Sequence, residues 1–282
     1  MESHTQSALI DLPPFPPVAN ALLGLAAQEE VCLSEVTEIL STDAAISAEL
    51  RRGANTAFVG ARGEVDSVIQ AAAILGLKRI SSLAATIALR GYVGTLWQTA
   101  AVRRCWHHNL ATALIAETMA RKVALDSDVA YTAGLLHDVG RLALVVKFRG
   151  EYILLLNTPP PAGGDLRQLE RERFGIDHTE AGSAILEQLK LPQVFRDSAL
   201  RHHDLAPVEN SGVDAIVRVA CALGSAIGFG VQDAHKPQPD PAAVDAILQT
   251  MPPKYCDALA ADSDSFLGTV ADLIDAYSRA LA

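Results

Sequence analysis

No stretch of this chain alternates apolar and polar residues with period two, so the sequence predicts no β-sheet. The apolar residues fall instead in runs bounded by helix start and stop signals. Leu12-Pro13-Pro14-Phe15-Pro16-Pro17 cannot be helical and stiffens the entry to the fold, and residues 1–11 before it read as a loose tail. A helix is predicted from about Val18 to Ala27, because proline is tolerated in a first turn. Ser34 can cap a second, running to about Leu40, and Asp43 a third, over residues 44–55. Gly60, Arg62 and Gly63 make a loop. Asp66 or Ser67 caps a helix over 68–75, Gly76 ends it, and another runs from about Lys78 to Arg90.

A long helix follows from about Thr99 to Val123 and carries Trp106-His107-His108-Asn109. Asp126 or Ser127 caps the next, which is expected to contain His137 and Asp138 in its interior. Thr158 to Gly164 form a loop, and Asp165 caps a short helix to Arg173. Gly175-Ile176-Asp177-His178 turns into a helix from about Thr179 to Leu189. Pro192 opens another, which ends at Arg201-His202-His203-Asp204. Residues 213–229 form an apolar helix containing Cys221, and Pro237 to Pro241 link it to one or two closing helices. The pattern predicts an all-α fold with irregular helix packing: a multi-helix bundle preceded by a smaller N-terminal helical subdomain. The expected division is a tail over 1–11, the N-terminal subdomain over 12–100, the main subdomain over 101–235 and closing helices over 236–282.

Composition agrees with this picture. The 282 residues are enough for a substantial core in one or two domains. Half are hydrophobic but only 5% aromatic, an Ala- and Leu-rich bias that favours helix. The net charge of −10 gives no support for general binding to nucleic acid or to an anionic membrane. The four cysteines are far apart and form no CxxC pair. No basic segment followed by an apolar run opens the chain, so they read as reduced thiols of a cytoplasmic protein. No uninterrupted apolar segment approaches the roughly 18–20 residues of a membrane span. Residues 70–83 resemble a helix-turn-helix, with Gly76 at the turn. The second helix continues as Leu83-Ala84-Ala85-Thr86-Ile87-Ala88-Leu89, too apolar to lie against DNA, so two packed helices are expected there.

The candidate chemistry centres on Gly134-Leu135-Leu136-His137-Asp138-Val139-Gly140-Arg141-Leu142. An adjacent ionisable pair among apolar residues is costly to bury without a partner. A metal ion would serve, since imidazole nitrogen and carboxylate oxygen are both metal ligands, and a His–Asp hydrogen bond in a helical core would serve as well. Six of the eight histidines fall at or near helices in the middle of the chain: His107, His108, His137, His178, His202 and His203. Four separate helices each deliver one or two. No HExxH motif is present, so whether they converge depends on the fold.

The order His108 … His137-Asp138 … His178 … His202-His203 resembles the HD superfamily of metal-dependent phosphohydrolases. More closely, the chain resembles its output-domain branch, the HDOD family, over roughly residues 12–230. The stretches that carry the likeness are Leu-Pro-Pro-Phe-Pro-Pro-Val (12–18), residues 42–58 and Ala-Ile-Leu-Gly-Leu-Lys-Arg-Ile (73–80) in the first half. In the second half they are Trp-His-His-Asn-Leu-Ala-Thr-Ala (106–113), residues 133–142, Phe-Gly-Ile-Asp-His-Thr-Glu-Ala-Gly (174–182) and Leu-Arg-His-His-Asp (200–204). The resemblance implies an HD-like bundle and makes His108, His137 and Asp138 candidate ligands of a first metal. His178, His202 and His203 match positions that hold additional metals in the catalytic HD-GYP relatives. There, two or three iron or manganese ions hydrolyse cyclic di-GMP by generating hydroxide and stabilising charge on the phosphoryl oxygens. The implied cofactor is a divalent metal: iron, manganese or zinc.

Two departures count against turnover. The HD pattern ends on an aspartate, and Cys221 occupies the aligned place, a softer ligand and more often a small buried hydrophobe. Asp204 or Asp177 could replace the lost carboxylate. Leu205-Ala206-Pro207 stands where HD-GYP enzymes continue into their GYP signature, so a cyclic dinucleotide has no motif behind it. The resemblance implies a bacterial signal-transduction module that acts through contacts with a signalling protein and carries a degenerate or silent centre. A metal-dependent phosphohydrolase acting on a nucleotide or other phosphoester is the alternative. A nucleic acid or membrane partner is not expected.

Overall fold

The computed structural model describes residues 17–43 apart from 27 and 29, then 46–50, 67–158, 164–204, 212–232, 240–249, 272 and 274. The expected tail, the proline-rich entry, the 60–63 loop, Leu205-Ala206-Pro207 and most of the closing segment lie outside the described residues. Every described regular element is a helix, so the fold is all-α as the sequence predicts. The helices divide into two compact units.

One unit contains α1 (Pro17–Ala26), α2 (Leu33–Ser41), α3 (Val68–Leu75) and α4 (Leu77–Val93), with residues 46–50 also helical. Its core is aliphatic: Leu22, Leu23, Val36, Leu50, Ile80 and Leu89 are fully buried. α2 starts one residue before the expected Ser34 cap, with the Glu35 carboxylate accepting from the Cys32 N–H at 3.3 Å. Ser67 caps α3 by accepting from the Gln70 N–H at 3.1 Å. Gly76, at φ +83°, separates α3 from α4 with a backbone that L-residues rarely adopt. α4 is buried continuously from Ile80 to Ile87, including Ser81 and Ser82, so this stretch has no free face to enter a DNA groove.

The other unit is built on α5 (Ala100–Lys122), preceded by a 3₁₀ turn over Gly94–Gln98. α5 is buried on nearly all sides from Ala101 to Ala120, which makes it a central helix rather than a surface one. On it pack α6 (Ser127–Leu136), α7 (Val139–Asn157) and α11 (Val213–Gly224); α9 (His178–Gln188) and α10 (Gln193–Arg201) pack on these in turn, α8 (Leu166–Phe174) packs on α9, and α12 (Pro241–Gln249) follows. Most boundaries are close to where the sequence puts them: the expected caps Asp126 and Asp165 accept from backbone N–H groups of the first turn, and Asp177, expected only as part of a turn, does the same for α9. Two differ. The apolar run over 213–229 is α-helical only to Gly224 and closes as a π turn over Ser225–Phe229, kinked at Gly228. And His137-Asp138 lies in a turn between α6 and α7, not inside one helix. Ser127–Asn157 is, by length and composition, apolar enough to cross a membrane, but it is broken at this turn and mostly buried within the unit.

Two glycines set how closely the helices around this turn approach. A Cβ on Gly134 would stand 2.7 Å from the Ala113 Cα of α5, and one on Gly140 would stand 1.9 Å from the His178 carbonyl oxygen and 2.6 Å from the Gly182 nitrogen of α9. The first turn of α7 thus rests directly on the first turn of α9. Gly140→Ala must push two backbones apart and is expected to destabilise the protein by about 3 kcal/mol or more. Gly91→Ala, exposed on α4 with nothing near its added methyl, should instead stabilise by roughly 0.5–1 kcal/mol. Chemical denaturation of the two variants checks this; a Gly140→Ala protein as stable as wild type would mean the α7–α9 contact is looser than described.

Candidate metal centre

The turn between α6 and α7 faces the middle of α5, the start of α9, the end of α10 and the middle of α11. His108 comes from α5, His137 and Asp138 from the turn, His178 from the first position of α9, His202 and His203 from the turn after α10, and Cys221 from α11. Asn109, next to His108, donates to the Leu135 carbonyl at 3.2 Å and ties α5 to the end of α6. All of these ligand candidates are buried except His203, which is half-buried.

Backbone carbonyls fix which ring nitrogens carry protons. Nδ1 of His108 lies 3.0 Å from the Phe229 carbonyl, that of His137 2.7 Å from Gly134, and that of His202 2.9 Å from Ala199. A carbonyl only accepts, so each ring donates from Nδ1 and turns a bare Nε2 lone pair inward. The inward nitrogens of His108 and His137 stand 3.2 Å apart, acceptor facing acceptor. His202 Nε2 and Asp138 Oδ1 stand 3.4 Å apart, again two acceptors, and each is buried without a hydrogen-bond partner. Cys221 Sγ is 3.4 Å from His108 Nε2. Buried acceptors with no donor are costly, and a cation among them could engage three of them at a time. The donor atoms of His108, His137 and Cys221 lie within 4.8 Å of one another, as do those of His137, Asp138 and His202, and of His178, His202 and His203. The residues present therefore suit a metal ion.

The far side of the cluster is different, because it already holds a cation. Arg141 is buried at 3% exposure and spends its three nitrogens on three partners. Nε donates to Asp138 Oδ2 at 2.5 Å, Nη1 to Glu170 Oε1 at 3.0 Å and Nη2 to His178 Nε2 at 2.9 Å. Glu170, fully buried, also accepts from His178 Nδ1 at 2.6 Å, from the His178 backbone N–H at 2.9 Å and from the Tyr152 hydroxyl at 2.6 Å. Guanidinium can only donate, so the His178 Nε2 lone pair is already engaged. His203 Nε2 approaches the same atom at 3.1 Å.

Electrostatics follow burial and this one positive charge. Burial pushes the His108 ring down to about 4, and His137, His202 and His203 are pushed down for the same reason. Burial is the largest single influence on Asp138 and opposes its ionisation, but the Arg141 guanidinium together with His178, His202 and His137 outweighs it and holds the carboxyl well below the usual carboxylate range. Glu170 is lowered despite its burial by His178 and Arg141. Burial raises the Cys221 thiol well above its ordinary value.

Neither aspartate considered as a substitute ligand reaches the centre. Asp177 is the N-cap of α9, accepting from Thr179 and Glu180, and pairs with Arg171. Asp204 is exposed. His107 belongs to none of the three ligand groups. Arg141 and Glu170 are the functional residues that pattern reading passes over: Arg141 sits in the quoted motif as an ordinary basic residue, and Glu170 lies in a run of charged residues with no motif around it.

The unfolded chain protonates a histidine near 6.5, and folded His108 near 4. As pH falls between those values the unfolded state takes up the proton first, so stability is lost across that window. Chelator-treated protein should melt several degrees lower at about pH 5 than at about pH 7.5, with a smaller gap in His108→Gln. Equal midpoints for wild type at both values would mean the ring is not buried in its neutral form.

The model of the HDOD domain matches residues 12–205 of the chain. No curated protein matches it by sequence. Among solved structures, a provisionally assigned phosphohydrolase of Shewanella amazonensis SB2B is 21% identical, with a TM-score of 0.73 over 99% of this chain and 98% of that one. An HDOD domain protein of unknown function from Geobacter sulfurreducens is 23% identical, with a TM-score of 0.68 over 96% of this chain and 98% of that one. A provisionally assigned signal-transduction protein of Marinobacter aquaeolei VT8 is 19% identical, with a TM-score of 0.65 over 97% of this chain and 65% of that one. Those likenesses carry the fold, and the family model carries the rest: the chain belongs to the HDOD domain family.

Proposed function

We propose that this protein is a bacterial signalling module that works in the cytoplasm through contacts with a signalling protein, and that its HD-type centre binds a divalent metal without hydrolysing a phosphoester. The observation that carries this reading is the burial of the centre. His108, His137, Asp138, His178, His202 and Cys221 are each no more than 4% exposed. A hydrolase of the HD type must place phosphoryl oxygens on its metals and bring water in line with them. That requires an opening onto the ligands, and of the seven candidate ligands only His203 is more than slightly exposed. Cys221 in the place of the expected aspartate points the same way, since a thiolate is a poor partner for the manganese of such sites. The family supports a signalling role, as does the description of the Marinobacter relative.

The test is turnover. Protein loaded separately with manganese, iron and zinc is assayed against bis(p-nitrophenyl) phosphate and against cyclic dinucleotides, beside a His137→Ala, Asp138→Ala double variant. The expected result is a rate no higher than that of the double variant with every metal. Turnover that depends on His137 would replace this reading with the phosphohydrolase one.

A further inference from the structure

The cluster contains seven candidate metal ligands and one buried guanidinium. Two ligand atoms that a second ion would use, Asp138 Oδ2 and His178 Nε2, are taken by that guanidinium, which also holds Glu170 Oε1. The opposite side, where His108, His137 and Cys221 meet, holds only acceptors and a thiol. We propose that Arg141 stands in for the second metal ion of the cluster, so that the centre takes a single ion, of the thiolate-binding zinc class, on His108, His137 and Cys221.

Charge supports the count. In a centre this deeply buried the fixed charges must nearly cancel, because each uncompensated one is costly. Asp138 and Glu170 against Arg141 leave one negative charge. A divalent ion that displaces the Cys221 proton brings the centre to neutrality. Two divalent ions would leave it two charges positive, with the guanidinium beside them and no route to leave.

Ligand chemistry supports the class. The set is two imidazoles and a sulfur, with the orphan acceptors Asp138 Oδ1 and His202 Nε2 next to them. Thiolate with imidazole selects zinc, and cobalt as its spectroscopic substitute, over manganese or magnesium. A coordinating thiol gives up its proton to the metal, which overrides its burial. The inward orientation of both imidazoles is fixed in advance by the Phe229 and Gly134 carbonyls, the outer support that metal-ligating histidines ordinarily have.

This inference deepens the reading of a buried, non-hydrolytic centre and rests on the burial of its ligands, but not on the absence of turnover. None of its readouts includes a catalytic step, so the two fail separately. The full chain, stripped by chelation, is titrated with Co²⁺ and, in parallel, with Zn²⁺ and Mn²⁺, and bound metal is measured after gel filtration. The expected result is one equivalent of cobalt or zinc, no retained manganese, and a near-ultraviolet thiolate-to-cobalt charge-transfer band. Cys221→Ser should lose the band and bind zinc about ten-fold or more weakly. Arg141→Met should take up a second equivalent, since it frees His178, Asp138 and Glu170. If that variant does not fold, Arg141→Lys, which keeps the charge but has a single donor group, should still hold one. Two equivalents in wild type, a cobalt complex without the band, preferential uptake of manganese, or a folded Arg141→Met that stays at one equivalent would each overturn the proposal.

Discussion

The arrangement of this centre depends on where three imidazole protons go. His137 donates to the Gly134 carbonyl and His202 to that of Ala199, in both cases three residues back along the chain. Those carbonyls belong to the last turns of α6 and α10, where a helix leaves its C=O groups without backbone partners. His108 donates to Phe229, at the end of the π turn, another such terminus. Helix ends are thus satisfied by histidine side chains, and the same bond that closes the helix presents a bare nitrogen on the other edge of the ring. Moving any of these helix ends by a residue would leave a carbonyl unpaired and turn a lone pair away from its neighbours. The fold and the site use one set of hydrogen bonds.

Arg141 makes the opposite demand, for acceptors rather than a cation. A guanidinium at 3% exposure is tolerable only with its donors engaged, and here they reach α8, the start of α9 and the turn before α7. Reaching His178 requires that α7 and α9 touch backbone to backbone, which is what Gly140 permits. Tyr152 and its ring contacts with Phe174, itself stacked on Phe148, then fix Glu170 from the other side. One half of the cluster is therefore a closed, satisfied ion network. The other half is a set of facing acceptors with one thiol, Cys221, among them.

Helix existence is legible from capping residues, and Asp126 and Asp165 act as caps where the pattern puts them. What the pattern could not supply was the break at His137-Asp138, because no proline or glycine stands between Leu136 and Val139. At the break the His137 ring bonds the Gly134 carbonyl of the last turn of α6, a side-chain contact that helix start and stop signals do not announce. The same limit applies to Arg141 and Glu170, which are 29 residues apart and meaningful only as partners. Asp177 shows the converse. Its spacing to Glu180 is that of a capping box, and that local role, not a metal-ligating one, is what the structure gives it. Cys221 was visible as a departure from a pattern, but its 3.4 Å approach to His108 came only with the fold.

A centre of this kind has a direct way to act at a distance. The ends or middles of five helices, α5, α6, α9, α10 and α11, contribute donors to it, so the cluster adds a shared tie to helices that already pack on one another. An ion that binds the folded unit and not the unfolded chain stabilises it by about 4 kcal/mol when present at a thousand times its dissociation constant. That is a sizeable part of the roughly 5–15 kcal/mol that keeps a typical domain folded. Occupancy would therefore decide how firmly these five helices are held relative to one another, and so how well defined their outer faces are for a partner. Binding chemistry buried at the core then needs no opening to solvent to influence what happens at the surface; it needs only that the helices it ties together are the ones a partner reads.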